Sequence, residues 1–143
     1  RSPENILGYK YSFKSELWCI GCFIWELLTN EHIFEPELVG DSVSRDINQL
    51  KLIQKYLGKM SKSYLKKYLI NENLFNLKLL EKELNKDTEF NNSELEIKLK
   101  YHRNDLSDDE INEICVLLKM IWNYNINLRL SIDDILNHSF FNN

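Results

Sequence analysis

Two cysteines three positions apart are the first residues in the chain whose spacing suits a chemical function. Cys19 and Cys22 have the spacing of half a zinc site or of a thiol redox pair. No second pair of cysteines or histidines follows at ligand spacing, and the remaining cysteine, Cys115, stands alone. All three lie in apolar surroundings, as core cysteines do. We therefore expect them to pack in the core of a protein from a reducing compartment, and we predict no metal site.

The histidines could serve as general bases or as metal ligands, but the sequence isolates them. The chain has three histidines, His32, His102 and His138, and none of them has a carboxylate or a cysteine at ligand spacing. We predict no catalytic residue among them.

A lysine cluster invites a nucleic-acid interpretation. Lys59, Lys62, Lys66 and Lys67 have tyrosines between and beside them. The formal net charge of −4 and the pI near 5.4 argue against it, because nucleic-acid binding needs a cationic surface. At helical spacing such lysines form a solvated face whose stems cover apolar surface. We predict no nucleic-acid partner, and a basic partner fits the charge better than an acidic one.

The elements that position these residues are predicted to be helices. The chain has 143 residues, 43% of them hydrophobic, which suits one compact domain, and only four Gly and two Pro. Its abundant Leu, Lys and Glu favour helix, so we predict an all-α fold. The most apolar stretch, residues 17 to 28, contains Glu26 and is shorter than the ~20 residues of a membrane span. We predict no membrane segment.

Capping residues predict where the main helices begin and end. The first should run over residues 12 to 28, be buried nearly all round and stop at Asn30. A second should start at Ser44 or Asp46 and end at Gly58. Residues 59 to 105 should hold a helix or two, with a surface loop over 88 to 93. Two more helices are predicted, one after a capping box at residues 107 to 110 and a last one from Ser131.

The run from Arg1 to Glu4 reads Arg-Ser-Pro-Glu, and a fixed pattern follows it, made of Tyr11, Glu16, Trp18, Gly21 and Cys22. This resembles the protein kinase family, in which Arg-(Ala/Ser)-Pro-Glu closes the activation segment and a helix of the type Tyr-x4-Asp-x-Trp-Ser-x-Gly-Cys follows. The resemblance implies the helical C-terminal half of the kinase large lobe. Residues 1–143 would be a single partial domain, from the end of the activation segment through the last helix.

Phosphoryl transfer by kinases needs a Gly-rich loop, a paired lysine and glutamate, a catalytic aspartate with its asparagine, and a magnesium-binding Asp-Phe-Gly. The 143 residues contain none of these sets, and the first methionine is Met60. The resemblance thus implies part of a longer serine/threonine kinase whose missing N-terminal part binds ATP and Mg²⁺, while this chain supplies scaffold and substrate-binding surface and is inactive alone. The alternative is a non-catalytic helical interaction module or a pseudokinase remnant. A kinase part should leave apolar surface uncovered on the 12 to 28 helix, whereas a self-sufficient module should cover it.

Site roles also come from the resemblance. It implies a buried ion pair between Glu4 and Arg129, the alternative being that both are solvated. Arg1 would help to shape the substrate pocket, unless it is a frayed end. Glu16 stands where the family has the aspartate that anchors the catalytic loop.

Within the CMGC group of kinases, the chain is most similar to the SR-protein kinases. The residues that carry this similarity are Phe34-Glu35-Pro36, Ser44-Arg45-Asp46 and the helix end Leu57-Gly58. The similarity implies a kinase of the cytoplasm or nucleus that phosphorylates Arg-Ser-rich splicing factors and so regulates mRNA splicing.

The SR-protein kinases dock such substrates in an acidic groove, which suits a cationic peptide. Its acidic positions fall at Glu31, Asn48 and Lys55, of which only Glu31 keeps the charge. An acidic rim could instead come from four nearby residues, which are Glu35, Glu37, Asp41 and Asp46. The alternative is that these carboxylates only form a solvated loop.

Overall fold

The computed structural model describes residues 1–70, 76–86, 90–139 and 141, and within them the regular structure is helical with no strand. The helices are α1 (Pro3–Ile6), α2 (Phe13–Thr29), α3 (Ser42–Leu57), α4 (Lys62–Tyr68), α5 (Leu77–Asn85), α6 (Glu94–His102), α7 (Asp108–Ile121) and α8 (Ile132–Leu136), with a 3-10 turn at Ile126–Leu128. The all-α prediction is confirmed. No described helix is long and apolar enough to cross a membrane.

The chain divides into two compact units. One consists of Arg1–Tyr11 and Phe34–Asn92, and the other of Ser12–Ile33 and Ser93–Asn143. The single partial domain over residues 1–143 stays a prediction. The two units are described in turn.

Helix α2 is the centre of the second unit, where it packs against α6, α7 and the 3-10 turn. Its start is fixed by Ser12, whose N–H donates to the Ser15 hydroxyl at 3.3 Å. It ends at Asn30 in the left-handed conformation, with φ 58°. Both ends lie where the sequence predicts them, because capping depends on local residues.

Helices α2 and α7 approach closely at Gly21. A Cβ built at Gly21 would lie 2.5 Å from Nε1 of Trp122. The same Trp122 N–H donates to the carbonyl of Trp18 at 3.2 Å, and both indoles are buried. The lack of a side chain at Gly21 is what lets the Trp122 ring lie against α2.

One prediction for α2 is wrong: the helix is not buried nearly all round. Phe13, Phe23 and Leu27 are 65%, 58% and 70% exposed. They share one helical face with Glu16, also exposed, and with Ile20. We call these five residues the exposed α2 stripe. The described chain covers only the opposite face, which carries Trp18 and Trp25. The apolar composition of the helix therefore does not predict which of its faces are buried.

Helices α7 and α8 begin at reciprocal caps. In α7, the Ser107 N–H donates to Glu110 Oε2 at 2.8 Å, and the Glu110 N–H donates to Ser107 Oγ at 3.2 Å. Ser131 and Asp134 repeat the arrangement at α8, with both bonds at 3.0 Å. Both predicted starts are confirmed.

In the first unit, α3 packs against α1 and α5. It begins earlier than predicted, because Asp41 caps it by accepting the Ser44 N–H at 2.8 Å. It ends at Gly58 as predicted, with φ 98°. Gln54 is buried in α3 and bridges two backbone groups, since its Nε2 donates to the Leu84 carbonyl and its Oε1 accepts the Met60 N–H, both at 3.0 Å.

Residues 59 to 105 hold more helix than predicted. The sequence suggested one or two helices, and the structure has α4, α5 and α6 in this range. Each of these helices buries only two residues, among them Leu65, Leu80 and Leu95, rather than a long apolar stripe. Of the predicted surface loop over 88 to 93, residues 88 and 89 lie outside the described residues, and 90 to 93 are non-helical.

Candidate functional site

Arg129 is buried in the second unit, with 3% of its surface exposed. Its Nε donates to the carbonyl of Asn123 at 2.8 Å, and its Nη1 donates to the carbonyl of Lys14 at 3.0 Å. The guanidinium carbon also lies 5.1 Å from the centre of the Trp18 ring. The planar fork and the face of the guanidinium are therefore both used, which a lysine could not reproduce.

Glu4 is 1% exposed in α1, a helix that begins at Pro3. Its carbonyl accepts the N–H of Tyr9 at 2.9 Å, which fixes the chain just after α1. The alternative that Glu4 and Arg129 are solvated surface residues is wrong, because both residues are buried. The ion pair between them stays a prediction.

Arg1 is not a frayed end. Its Nη2 is hydrogen bonded and ion paired to the carboxylate of Asp46 in α3, with side-chain exposures of 55% and 17%. This pairing neutralises Asp46, so the predicted acidic rim loses one of its four members. The role of Arg1 in substrate binding stays a prediction.

Glu16 lies on the exposed α2 stripe, next to apolar neighbours and open to solvent. That position leaves its carboxylate accessible to another segment. Its role as an anchor for the catalytic loop stays a prediction.

Glu31 has a partner that sequence spacing missed. Nε2 of His102, at the end of α6, lies 3.2 Å from its Oε2, and the Glu31 side chain is 55% exposed. Nearby, Nδ1 of His32 lies 3.5 Å from Glu26. Two histidines without partners in the sequence thus acquire carboxylate neighbours through folding. The role of Glu31 in substrate binding stays a prediction.

The three cysteines differ in their burial. Among the described residues, no group of three His, Cys, Asp or Glu side chains could hold a metal ion. Burial raises the pKa of the Cys22 thiol to about 12, and burial also raises that of Cys115 to about 12. Cys115 is buried as predicted and Cys22 is half-buried, but Cys19 is exposed, contrary to the prediction.

We expect alkylation to separate the three thiols. Iodoacetamide at pH 8 should modify Cys19 rapidly and leave Cys22 and Cys115 largely intact, because the thiolate is the nucleophile and a pKa of about 12 makes it scarce. Peptide mass spectrometry of the native chain measures the order in which the three thiols react. The unfolded chain is the control, in which all three should react alike, and modification of Cys22 at the rate of Cys19 in the native chain would contradict the prediction.

The lysine cluster lies on and just before α4. Lys59, Lys62, Lys66 and Lys67 are all exposed, and Nζ of Lys67 lies 5.2 Å from the centre of the Tyr68 ring. Tyr68 itself is buried. This arrangement fits the predicted solvated face of lysines beside a buried ring.

Comparison with known proteins identifies the class. The family described as protein kinase domain matches residues 1–141. The chain belongs to the protein kinase domain family.

Individual relatives narrow the group. "Serine/threonine-protein kinase SRPK" from Physarum polycephalum is 35% identical over 78 residues, covering 54% of this chain and 18% of that protein. "Serine/threonine-protein kinase prpf4B" from Dictyostelium discoideum is 34% identical over 80 residues, covering 56% of the chain and 9% of the relative. "Serine/threonine-protein kinase SKY1" from Saccharomyces cerevisiae is 28% identical over 138 residues, covering 96% of the chain and 18% of the relative.

These relatives confirm the resemblance to the CMGC group of serine/threonine kinases, SR-protein kinases among them. The chain spans no more than 18% of the length of any of the three.

Proposed function

We propose that this chain is the scaffold and substrate-binding part of a serine/threonine protein kinase, which transfers the γ-phosphoryl group of ATP to protein hydroxyls. Family membership and the serine/threonine kinase relatives support the reaction class. The residues present do not fit ATP or Mg²⁺: the sequence has none of the nucleotide-binding sets, and the described residues hold no metal-ligating group. We assign both to a preceding segment of the kinase, and this chain alone should be inactive.

The exposed α2 stripe is the observation that carries the proposal. Phe13, Phe23 and Leu27 present apolar area to water along one face of a long helix. Patches of this kind mark surfaces that a partner covers. In this proposal the catalytic-loop segment covers the stripe, and Glu16 in its middle accepts hydrogen bonds from that segment. A self-sufficient interaction module should have covered this face with its own residues, so the stripe disfavours that alternative.

Charge supports a basic protein substrate. Glu31 in the second unit and both Glu35 and Glu37 in the first are exposed carboxylates, and the whole chain is acidic. Carboxylates attract and orient arginine-rich segments. Arg-Ser-rich substrates, a part in mRNA splicing, and a cytoplasmic or nuclear location belong to the same proposal.

Two measurements on the purified chain test it. Mg-ATP should produce no thermal shift and no hydrolysis, and either effect would overturn the assignment. Replacing Phe23 and Leu27 with Ser should lower the binding of a hydrophobic dye and self-association while leaving helicity unchanged. Leu79→Ser is the matched control, because Leu79 is 63% exposed on α5 and is not a member of the stripe. If the stripe variant and the Leu79→Ser control bind equal amounts of dye, the stripe no longer supports the proposal.

The coding sequence upstream of Arg1 offers a direct check. An in-frame His-Arg-Asp and Asp-Phe-Gly would support the catalytic parent. An intact upstream sequence that lacks both would favour the pseudokinase remnant.

A further inference from the structure

The loop before α3 exposes two aliphatic side chains at its tip. Leu38 is 85% exposed and Val39 is 64% exposed. No other large hydrophobic residue in the described part of the chain is as exposed as Leu38. We call Leu38 and Val39 the loop tip. Adjacent branched aliphatic side chains held in water point to a surface that a partner covers.

Both ends of this loop are fixed within the first unit. Phe34 is buried, with its ring centre 6.3 Å from that of Tyr56 in α3. At the other end Asp41 caps α3 through the Ser44 N–H. Gly40 has φ +85°, and a Cβ there would lie 3.1 Å from the Cβ of Ser44. The backbone therefore presents the loop tip between anchored ends, which lowers the entropic cost of binding.

Carboxylates flank the loop tip on both sides. Glu35 and Glu37 precede it and Asp41 follows it, and residues 33 to 44 contain no lysine or arginine. In the described part of the chain no ion pair involves Glu35 or Glu37. Hydrogen bonds from Ser44 lower the pKa of Asp41, which keeps that carboxyl ionised. An arginine in the first turn of α3 also acts on Asp41, but the three carboxylates outnumber it, so the surroundings of the tip favour a cationic occupant.

We propose that the loop tip and its two leading glutamates bind a basic peptide segment with an aliphatic or aromatic residue between its arginines. Glu35 and Glu37 take the guanidinium groups, and Leu38 with Val39 takes the apolar side chain. This inference rests on the proposed basic substrate and adds an apolar requirement to it. A pure Arg-Ser repeat would satisfy the carboxylates and leave both aliphatic side chains in water.

Two synthetic peptides of equal length and equal arginine count test the requirement. One is an Arg-Ser repeat, and the other has leucine in place of one central serine. Fluorescence anisotropy measures their affinity for the chain. We expect the leucine peptide to bind about tenfold more tightly, the effect of partly burying one aliphatic side chain. Leu38→Ser should abolish this preference, whereas Leu128→Ser, at a residue 64% exposed in the 3-10 turn, should keep it.

The glutamates have a separate signature. The double variant Glu35→Gln with Glu37→Gln should weaken both peptides and reduce the salt dependence of binding, while the preference for leucine remains. Equal affinity of the two peptides for the unmodified chain, or a preference that survives Leu38→Ser, would overturn the inference and leave the basic-substrate proposal standing. If neither peptide binds, the inference and the basic-substrate proposal both fail.

Discussion

Replacing Gly21 with Val is expected to destabilise the chain by about 3 kcal/mol, close to the upper range for overpacking a core. A Cβ at this position would lie 2.5 Å from Nε1 and 2.9 Å from Cε2 of Trp122, and 3.0 Å from Cγ2 of Ile121. The indole cannot move aside without losing its hydrogen bond to the Trp18 carbonyl. Urea unfolding followed by circular dichroism measures the change.

The stability of Gly21→Ala should lie between that of the unmodified chain and that of Gly21→Val. Alanine adds the same Cβ, but it gains about 1 kcal/mol of helix propensity over glycine. Cys19→Val is the matched control, since it places the same branched residue at an exposed position of α2. It should change stability by about 0.5 kcal/mol or less. A Gly21→Val chain as stable as the Cys19→Val chain would mean that α2 and α7 do not approach as described.

Replacing Arg129 with Met should cost about 3 kcal/mol of unfolding free energy. Methionine fills a similar volume, but it leaves the carbonyls of Asn123 and Lys14 without their donor. It also removes the cation from the face of the Trp18 ring. Arg129→Lys should recover little of the loss, because one ammonium cannot reach two carbonyls in the geometry of a guanidinium fork.

A less buried arginine provides the comparison for this effect. Arg103 forms two bonds of 2.9 Å with Asp105, and the two side chains are 32% and 59% exposed. Water and salt screen such a pair, so Arg103→Met should change stability little. Equal effects at Arg103 and Arg129 in the same urea experiment would show that burial does not set the value of Arg129.

The candidate site divides between local and long-range determinants. The resemblance pointed to Arg129, but it did not reveal that Asn123 and Lys14 accept its hydrogen bonds. The resemblance also pointed to Glu31, which keeps the charge of an acidic groove position, but it did not reveal the neighbouring His102, because no sequence spacing relates the two residues. The burial of Gln54 could not be predicted from the sequence, because a glutamine in an amphipathic helix is normally expected to face solvent.

The sequence by itself determined the helical class, the caps at Ser12, Asn30 and Ser107, and the kinase family, because capping and motif patterns depend on residues close together in the chain. Only the tertiary structure decided which face of α2 is covered, that Cys19 is exposed, and that Leu38 stands in water. Burial depends on which distant segments pack together, and an apolar residue has the same local signature whether or not a neighbour covers it.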